Sequence, residues 1–205
     1  MRDPYFDELS SLFQEHGFAL YIVGGSVRDL LLGHDYVDHD FVTDATPDKI
    51  REFLPEADYT FCRFGSVRIR KEGHEIDITT LRKEGEYLDK RHPSSLEFVK
   101  EPKVDVLRRD FTINGLYLDR EYRLLDYVGG KKDLEDKIIR FIGEPKKRIQ
   151  EDPLRIIRAE RFRDKLGFRI EEKTQKAIDE LRPLLKELNP QKIEEERKKG
   201  WKGSL

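Results

Sequence analysis

A single cysteine, Cys62, rules out an internal disulfide and any zinc site built on several thiolates, and it fits a reducing compartment. Long apolar runs are missing as well. No stretch approaches the roughly 20 apolar residues of a membrane span, and the opening "MRDPYFDELSSLF" puts acidic and polar residues where a secretory signal would put its apolar core. A soluble, cytoplasmic protein with no membrane contact is therefore expected. No sign of charge dominates: 40 Lys and Arg stand against 42 Asp and Glu, so any site for a polyanion must be a local patch. High charge content beside one methionine is compatible with a heat-adapted source.

At 205 residues the chain can bury one good core with an appended helical piece. Apolar spacing predicts a helix over 5–16, closed by Gly17, then a short strand "FALYIVGG" and a helix "SVRDLLLG" with Ser26 as N-cap. "DHDFVT", "FGSVRIR" and "HEIDITTLR" read as strands, and "TPDKIREFL" as a helix with Pro47 in its first turn. Residues 82–103 are polar with scattered Pro and Gly and read as a long mobile loop, which in a compact domain is more often functional than idle. A helix is expected over 104–118, a hairpin over 119–130, and helices over 148–168 and 171–188. The change in character past Pro145 places a boundary there: an α+β domain over 1–145, with a small mixed sheet and flanking helices, and a helical domain over 146–205.

The stretch "YIVGGSVRDLLLGHDYVDHDFVT", Tyr21 to Thr43, carries chemistry. Alternate residues of a strand share a face, so Asp38 and Asp40 project together while His39 points away. Two ionised carboxylates roughly 7 Å apart along a strand repel unless a cation lies between them. Hard oxygen ligands of this kind suit Mg²⁺ shared with substrate phosphates. The Gly24–Gly25 turn lets backbone approach a ligand, the following helix start favours an anion, and Arg28 adds a bidentate phosphate donor. Asp77, in "EIDIT", is the candidate third carboxylate of a two-metal centre, with Glu75 and Thr79 on its face and Ile76 and Ile78 opposite. Each part has a plainer reading: a GG turn before a helix is commonly only a turn, and acidic pairs commonly solvate strand ends.

Four segments in this order, "VGGSVRDLLLG", "DHDFVT", "RRDFTINGLYL" and "EDPLRIIRAERF", resemble the head and neck of the class II tRNA nucleotidyltransferases and bacterial poly(A) polymerases, within the polymerase β-like superfamily. The resemblance covers roughly residues 18–175. It implies a template-independent RNA nucleotidyltransferase that adds CMP or AMP from CTP or ATP to a tRNA 3′ end with release of pyrophosphate, by CCA or terminal A addition or by poly(A) synthesis. By position it implies that Gly25 and Arg28, with Gly24 and Ser26 in the same turn, meet the nucleotide's phosphates. Asp38 and Asp40 would ligate Mg²⁺. Arg109 and Asp110 would contact sugar and phosphates, with Asn114 in support. Asp152 and Arg155 would read the base edge, and Arg158 and Arg161 would add further nucleotide contacts. Three apart at a helix start, Asp152 and Arg155 share a face and offer an acceptor and a donor, though Asp152 before Pro153 also reads as an N-cap and the pair as ordinary surface charge. The stretch "TTLRKEGEYLDKRHPSSLEFV" resembles the loop of enzymes that add the terminal A. Family members continue into helical body and tail domains that grip tRNA. This sequence stops at Leu205, so the expectation is that a partner chain, a homo-oligomer or a smaller interface supplies that grip, or that a reduced substrate is used.

Two other classes compete. A metal-dependent phosphohydrolase would use the doublets His34–Asp35 and His39–Asp40, which requires His39 to face with Asp40 against strand alternation. A catalytically silent RNA- or nucleotide-binding module would have no need of paired metal carboxylates.

Overall fold

The computed structural model describes residues 2–34, 39–85 and 94–204. Its contacts divide the chain into two compact units: Met1–Glu84, Leu96–Arg108 and Asn114–Tyr127 form the first, and Gly85–Ser95, Arg109–Ile113 and Val128–Leu205 the second.

The first unit is built on a six-stranded sheet. Its strands are β1 (Leu20–Val23), β2 (His39–Thr43), β3 (Ser66–Lys71), β4 (His74–Thr80), β7 (Leu116–Leu118) and β8 (Leu124–Asp126), in the spatial order β3-β4-β2-β1-β7-β8. Strands β2 and β4 run parallel and the other neighbours antiparallel, which gives the mixed sheet expected. Helices α1 (Pro4–Glu15), α2 (Gly25–Leu31), α3 (Pro47–Phe53) and α4 (Pro102–Asp105) complete the unit. Asp3 caps α1 by accepting from the N–H groups of Tyr5 and Phe6, and Pro4 follows at the first helical position, where its missing N–H costs nothing. The helix buries Phe6, Leu9 and Phe13, with Phe6 5.2 Å from the ring of Phe41 on β2. Between β3 and β4, Glu72 (φ 52°) and Gly73 (φ 82°) both take left-handed backbone, the two-residue turn whose twist suits a hairpin.

Tyr122, in the β7–β8 turn, ties α1 down. Its Oη accepts the Asp3 N–H at 2.8 Å and donates to Asp7 at 3.1 Å. Burial, reinforced by the Asp7 carboxylate and opposed by the Asp3 N–H, pushes this hydroxyl up to about 12 from 10.0. A group raised on folding contributes stability that is complete below its unfolded value and lost as pH climbs through its folded one. The stability advantage of the wild type over Tyr122→Phe in urea melts is thus expected to be constant below pH 10 and to shrink between about 10 and 12. An advantage that stays flat across that window would show that Tyr122 does not titrate differently in the folded chain.

The second unit contains α5 (Gly130–Glu135), α6 (Pro145–Glu151), α7 (Leu154–Leu166), α8 (Glu172–Leu181) and α9 (Pro190–Lys198), with β9 (Ile138–Ile139) paired in parallel with β10 (Arg169–Ile170). Phe111, Phe141, Ile149, Ile156, Ile157 and Ile178 lie in its core, and the rings of Phe111 and Phe141 stack at 5.0 Å.

Several expectations are corrected. The helix over 104–118 is instead short pieces: α4, 3₁₀ turns at Val106–Arg108 and Thr112–Asn114, and β7. Phe111 bridges to Phe141 and the Thr112 N–H goes to the Arg140 carbonyl, so residues 30 and 28 positions away draw this backbone out of helix. The helix over 148–168 splits into α6 and α7, because Pro153 forces Asp152 into extended backbone (φ −153°, ψ 97°). The helix over 171–188 ends at Leu181 and passes into a 3₁₀ turn with Pro183. The segment 82–103 is not loop throughout: Arg82–Glu84 (β5) and Leu96–Phe98 (β6) pair as antiparallel strands, while 86–93 lie outside the described residues. Finally, α2 begins at Gly25 with Gly24 as N-cap, so Ser26 sits inside the helix, 2% exposed, and does not cap it.

Candidate active site

In the first unit the parallel register β2–β4 sets Asp40 beside Asp77 and Phe41 beside Ile78. One face of this ladder is apolar, with Ile76, Ile78, Val67 and Phe41 buried; the other carries Asp40, Asp77 and Thr79. The exposed Asp40 and the half-buried Asp77 thus come from strands thirty-seven positions apart yet leave the sheet as neighbours. Pairs of β1 with β2 include Ile22 with Phe41, and the next step in that register sets Val23 opposite Asp40. Asp40 therefore lies at the sheet end where the chain turns at Gly24. Asp38 lies outside the described residues, and among the described residues no three His, Cys, Asp or Glu side chains are grouped to hold a metal.

Arg68, on β3, is a partner that reading the sequence missed. It pairs with Asp77 across the β3–β4 hairpin and donates from Nε at 2.7 Å and Nη2 at 3.0 Å. Hydrogen bonding and charge from Asp77 raise the Arg68 guanidinium above its ordinary value. The hairpin turn at Glu72–Gly73 makes positions 68 and 77 opposite one another, so the pairing was open to a register count.

Gly24 (φ 71°, ψ −127°) takes backbone that only glycine adopts readily, and its N–H goes to the Leu116 carbonyl at 3.2 Å. Gly25 has an ordinary backbone, and a Cβ there would meet the Arg28 guanidinium at 3.5 Å. Arg28 is 3% exposed rather than extended into solvent: it makes a two-pronged contact with Asp29 (2.8 and 3.0 Å) and donates to Asn114 Oδ1 at 2.8 Å. Two residues expected in one site, Arg28 and Asn114, are thereby joined. His39 points to the opposite face: its Nδ1 lies 2.9 Å from Asp3 and its ring meets Tyr5 and His74. The His39–Asp40 metal pair of a phosphohydrolase is not formed.

A carboxylate also missed is Asp105, fully buried, which accepts from the Arg82 N–H (3.0 Å), Arg108 Nε (2.7 Å) and the Tyr117 hydroxyl (2.8 Å). It anchors the base of the β5–β6 ladder. Nothing in local spacing signals it.

In the second unit the expected residues form a charged cluster. Asp152 is 9% exposed; it accepts from the Leu154 N–H at 3.1 Å and from Arg158 Nη2 at 2.9 Å. Arg158 Nε lies 3.4 Å from Asp110. Arg155 is 3% exposed, and its Nη1 donates to the Arg148 carbonyl (2.6 Å) and to Glu151 (2.9 Å). Asp152 is thus tied to Arg158 and Arg155 to Glu151, so Asp152 and Arg155 are not a pair with each other. Arg148, also missed, donates to Glu151 at 2.6 Å and to the carbonyl of the half-buried Arg109 at 2.9 Å. Arg161 donates to Glu196 at 2.9 Å.

A family model described as the poly A polymerase head domain matches residues 20–140. The chain belongs to that family. Among curated relatives of this poly A polymerase head domain chain, the CCA-adding enzyme of Bacillus licheniformis is 40% identical over 205 residues, covering 99% of the chain and 52% of the relative. The CCA-adding enzyme of Lactobacillus helveticus is 43% identical over 183 residues, covering 89% and 46%. The crystal structure of the Bacillus stearothermophilus CCA-adding enzyme in complex with CTP aligns with TM-score 0.85 and 34% identity, over 96% of this chain and 48% of that one. A tRNA nucleotidyltransferase complexed with a primer tRNA and an incoming ATP analog aligns with TM-score 0.77 and 32% identity, over 93% and 55%. This poly A polymerase head domain chain therefore spans about half the length of the relatives it matches. No helix among its described residues is long and apolar enough to cross a membrane.

Proposed function

We propose that the chain carries the catalytic part of a tRNA nucleotidyltransferase that adds CMP and AMP, from CTP and ATP, to the 3′ end of tRNA with loss of pyrophosphate. The observation that carries this reading is the Asp40–Asp77 pairing on one face of the sheet, at the end where the Gly24 turn begins. The donor set fits Mg²⁺, since two hard carboxylates stand side by side and Asp38 adds a third in sequence. Mg²⁺ held by Asp40 and, from the sequence, Asp38, with Asp77 beside Asp40, would supply Lewis-acid stabilisation of the charge that develops in an in-line displacement at phosphorus.

The chain's own residues would hold and orient the reactants. Gly24, Gly25 and Ser26 would let backbone N–H groups approach the triphosphate, and Arg28, fixed by Asp29 and Asn114, would donate to it. Arg109 and Asp110 would meet sugar and phosphates. Asp152 and Arg155 would face the base; what favours them is that each is already immobilised, so little rotamer freedom is lost on binding. Arg158 and Arg161 would add further nucleotide contacts. Gripping the body of a tRNA is assigned to a partner chain, a second copy or further domains of the kind the relatives carry.

The chain, incubated with Mg²⁺, labelled ATP or CTP and tRNAs ending before C, after CC and after CCA, is expected to extend the first two acceptors. Extension of CCA-ended tRNA into long A tracts would favour poly(A) synthesis instead. No incorporation on any acceptor, with nucleotide binding intact, would favour the silent binding module.

A further inference from the structure

The last thirty residues read as polar helix and basic tail, yet two buried carboxylates bind them to α7. Glu160, on α7, is 6% exposed and accepts from Trp201 Nε1 at 2.9 Å and from Arg182. Glu196, on α9, is also 6% exposed and accepts from Arg161 Nε at 2.9 Å and Lys199 Nζ at 3.1 Å. The Trp201 N–H returns to the Glu196 carbonyl at 3.0 Å, so indole and carboxylate form one clasp. A carboxylate this buried is tolerated only with cationic partners, and Glu196 has two.

Arg161 is held at one edge only. Glu196 takes Nε, and among the described residues no hydrogen bond or ion pair involves its Nη groups. The side chain is 13% exposed, with its guanidinium 4.5 Å from the Phe162 ring centroid. A guanidinium tethered at Nε keeps its Nη edge in a fixed orientation, the edge with the geometry for two parallel bonds to a phosphate. The residues that carry the proposed base and phosphate contacts, Arg155, Arg158 and Arg161, all lie on this same helix.

We infer that Glu196 is a positioning residue: it fixes Arg161 from behind so that the Nη edge is presented, pre-ordered, to a phosphate of the incoming nucleoside triphosphate. The inference rests on the reading of Arg161 as a nucleotide contact. Untethered, the arginine would have to surrender rotamer freedom on binding and affinity would fall.

The test is Mg·ATP and Mg·CTP binding by equilibrium dialysis with the full chain, alongside emission from Trp201, the only tryptophan. Arg161→Ala is expected to weaken binding about tenfold, the loss of one charge-assisted contact. Glu196→Leu should weaken it several-fold and the isosteric Glu196→Gln less, since Gln keeps one acceptor, with Trp201 emission unchanged in the Gln variant. Glu196→Gln in the Arg161→Ala background should do nothing more. Normal or tighter binding by the Glu196 variants, with Arg161→Ala weakened, overturns the positioning role and leaves the Arg161 reading standing. The same loss in both backgrounds also overturns it, marking a general packing effect. Wild-type binding by Arg161→Ala overturns the reading of Arg161 itself. Should Glu196→Leu fail to fold, Glu196→Gln carries the comparison.

Discussion

Asp40→Ala is expected to cut nucleotide transfer by on the order of 10³-fold or more, because losing one metal carboxylate removes several kcal/mol of charge stabilisation from the displacement. Asp40 is exposed, and contacts made by exposed charges contribute little, so the expected cost to folding is small beside the loss of transfer. The two expectations together separate a site residue from a structural one. Single-turnover transfer of labelled AMP, measured beside a thermal melt, checks both. A variant that keeps more than about a tenth of the wild-type rate would remove Asp40 from the centre. Asp77→Ala makes a less clean comparison, since it also releases Arg68.

The largest effect on stability is expected at Glu151. Its Oε2 receives Arg148 Nη1 at 2.6 Å and Arg155 Nη1 at 2.9 Å, and the two arginine side chains are only 9% and 4% exposed. Glu151→Ala would leave two buried guanidiniums without their shared carboxylate, a loss of about 3–5 kcal/mol for a broken buried ion pair. In a chain of this size that lowers Tm by roughly 10 °C. Carbonyl acceptors at Arg109 and Arg148 soften the loss. Glu151→Gln should recover part of the difference because it keeps an acceptor. Calorimetry of the three proteins decides, and a loss under about 1 kcal/mol would show that the two arginines do not depend on Glu151. Since Arg155 is a proposed base contact, Glu151→Ala should also blur the choice between C and A at temperatures where the variant is folded.

What could be read from the sequence follows from how local each signal was. Strands β1, β2, β3 and β4 and helices α1 and α3 stood out because apolar alternation, a glycine stop or a proline at the first turn lies within the element itself. The face shared by Glu75, Asp77 and Thr79 was visible for the same reason, and burial of Ile76 and Ile78 agrees with it. The broken backbone of 104–118 was not, because Thr112 owes its conformation to a carbonyl at Arg140. Pro153 did advertise a helix start, but its effect on Asp152, ending one helix before beginning the next, went unread. In the candidate site, residue types were legible and their partners were not. Arg28 was foreseen as a phosphate donor but its partners Asp29 and Asn114 were not, and neither Glu151, at the head of a recognised segment, nor Glu196, outside any, was foreseen as the carboxylate that fixes an arginine.

The parallel pairing of β2 with β4 has a kinetic meaning as well. Two strands that run the same way need a crossover between them, and here it takes in α3 and the whole of β3. Loop closure of that span must precede any meeting of Asp40 and Asp77, so the acidic pair is a non-local product of folding rather than a property of either segment. A nascent chain, however helical, does not bring these two carboxylates together until the crossover between their strands is closed.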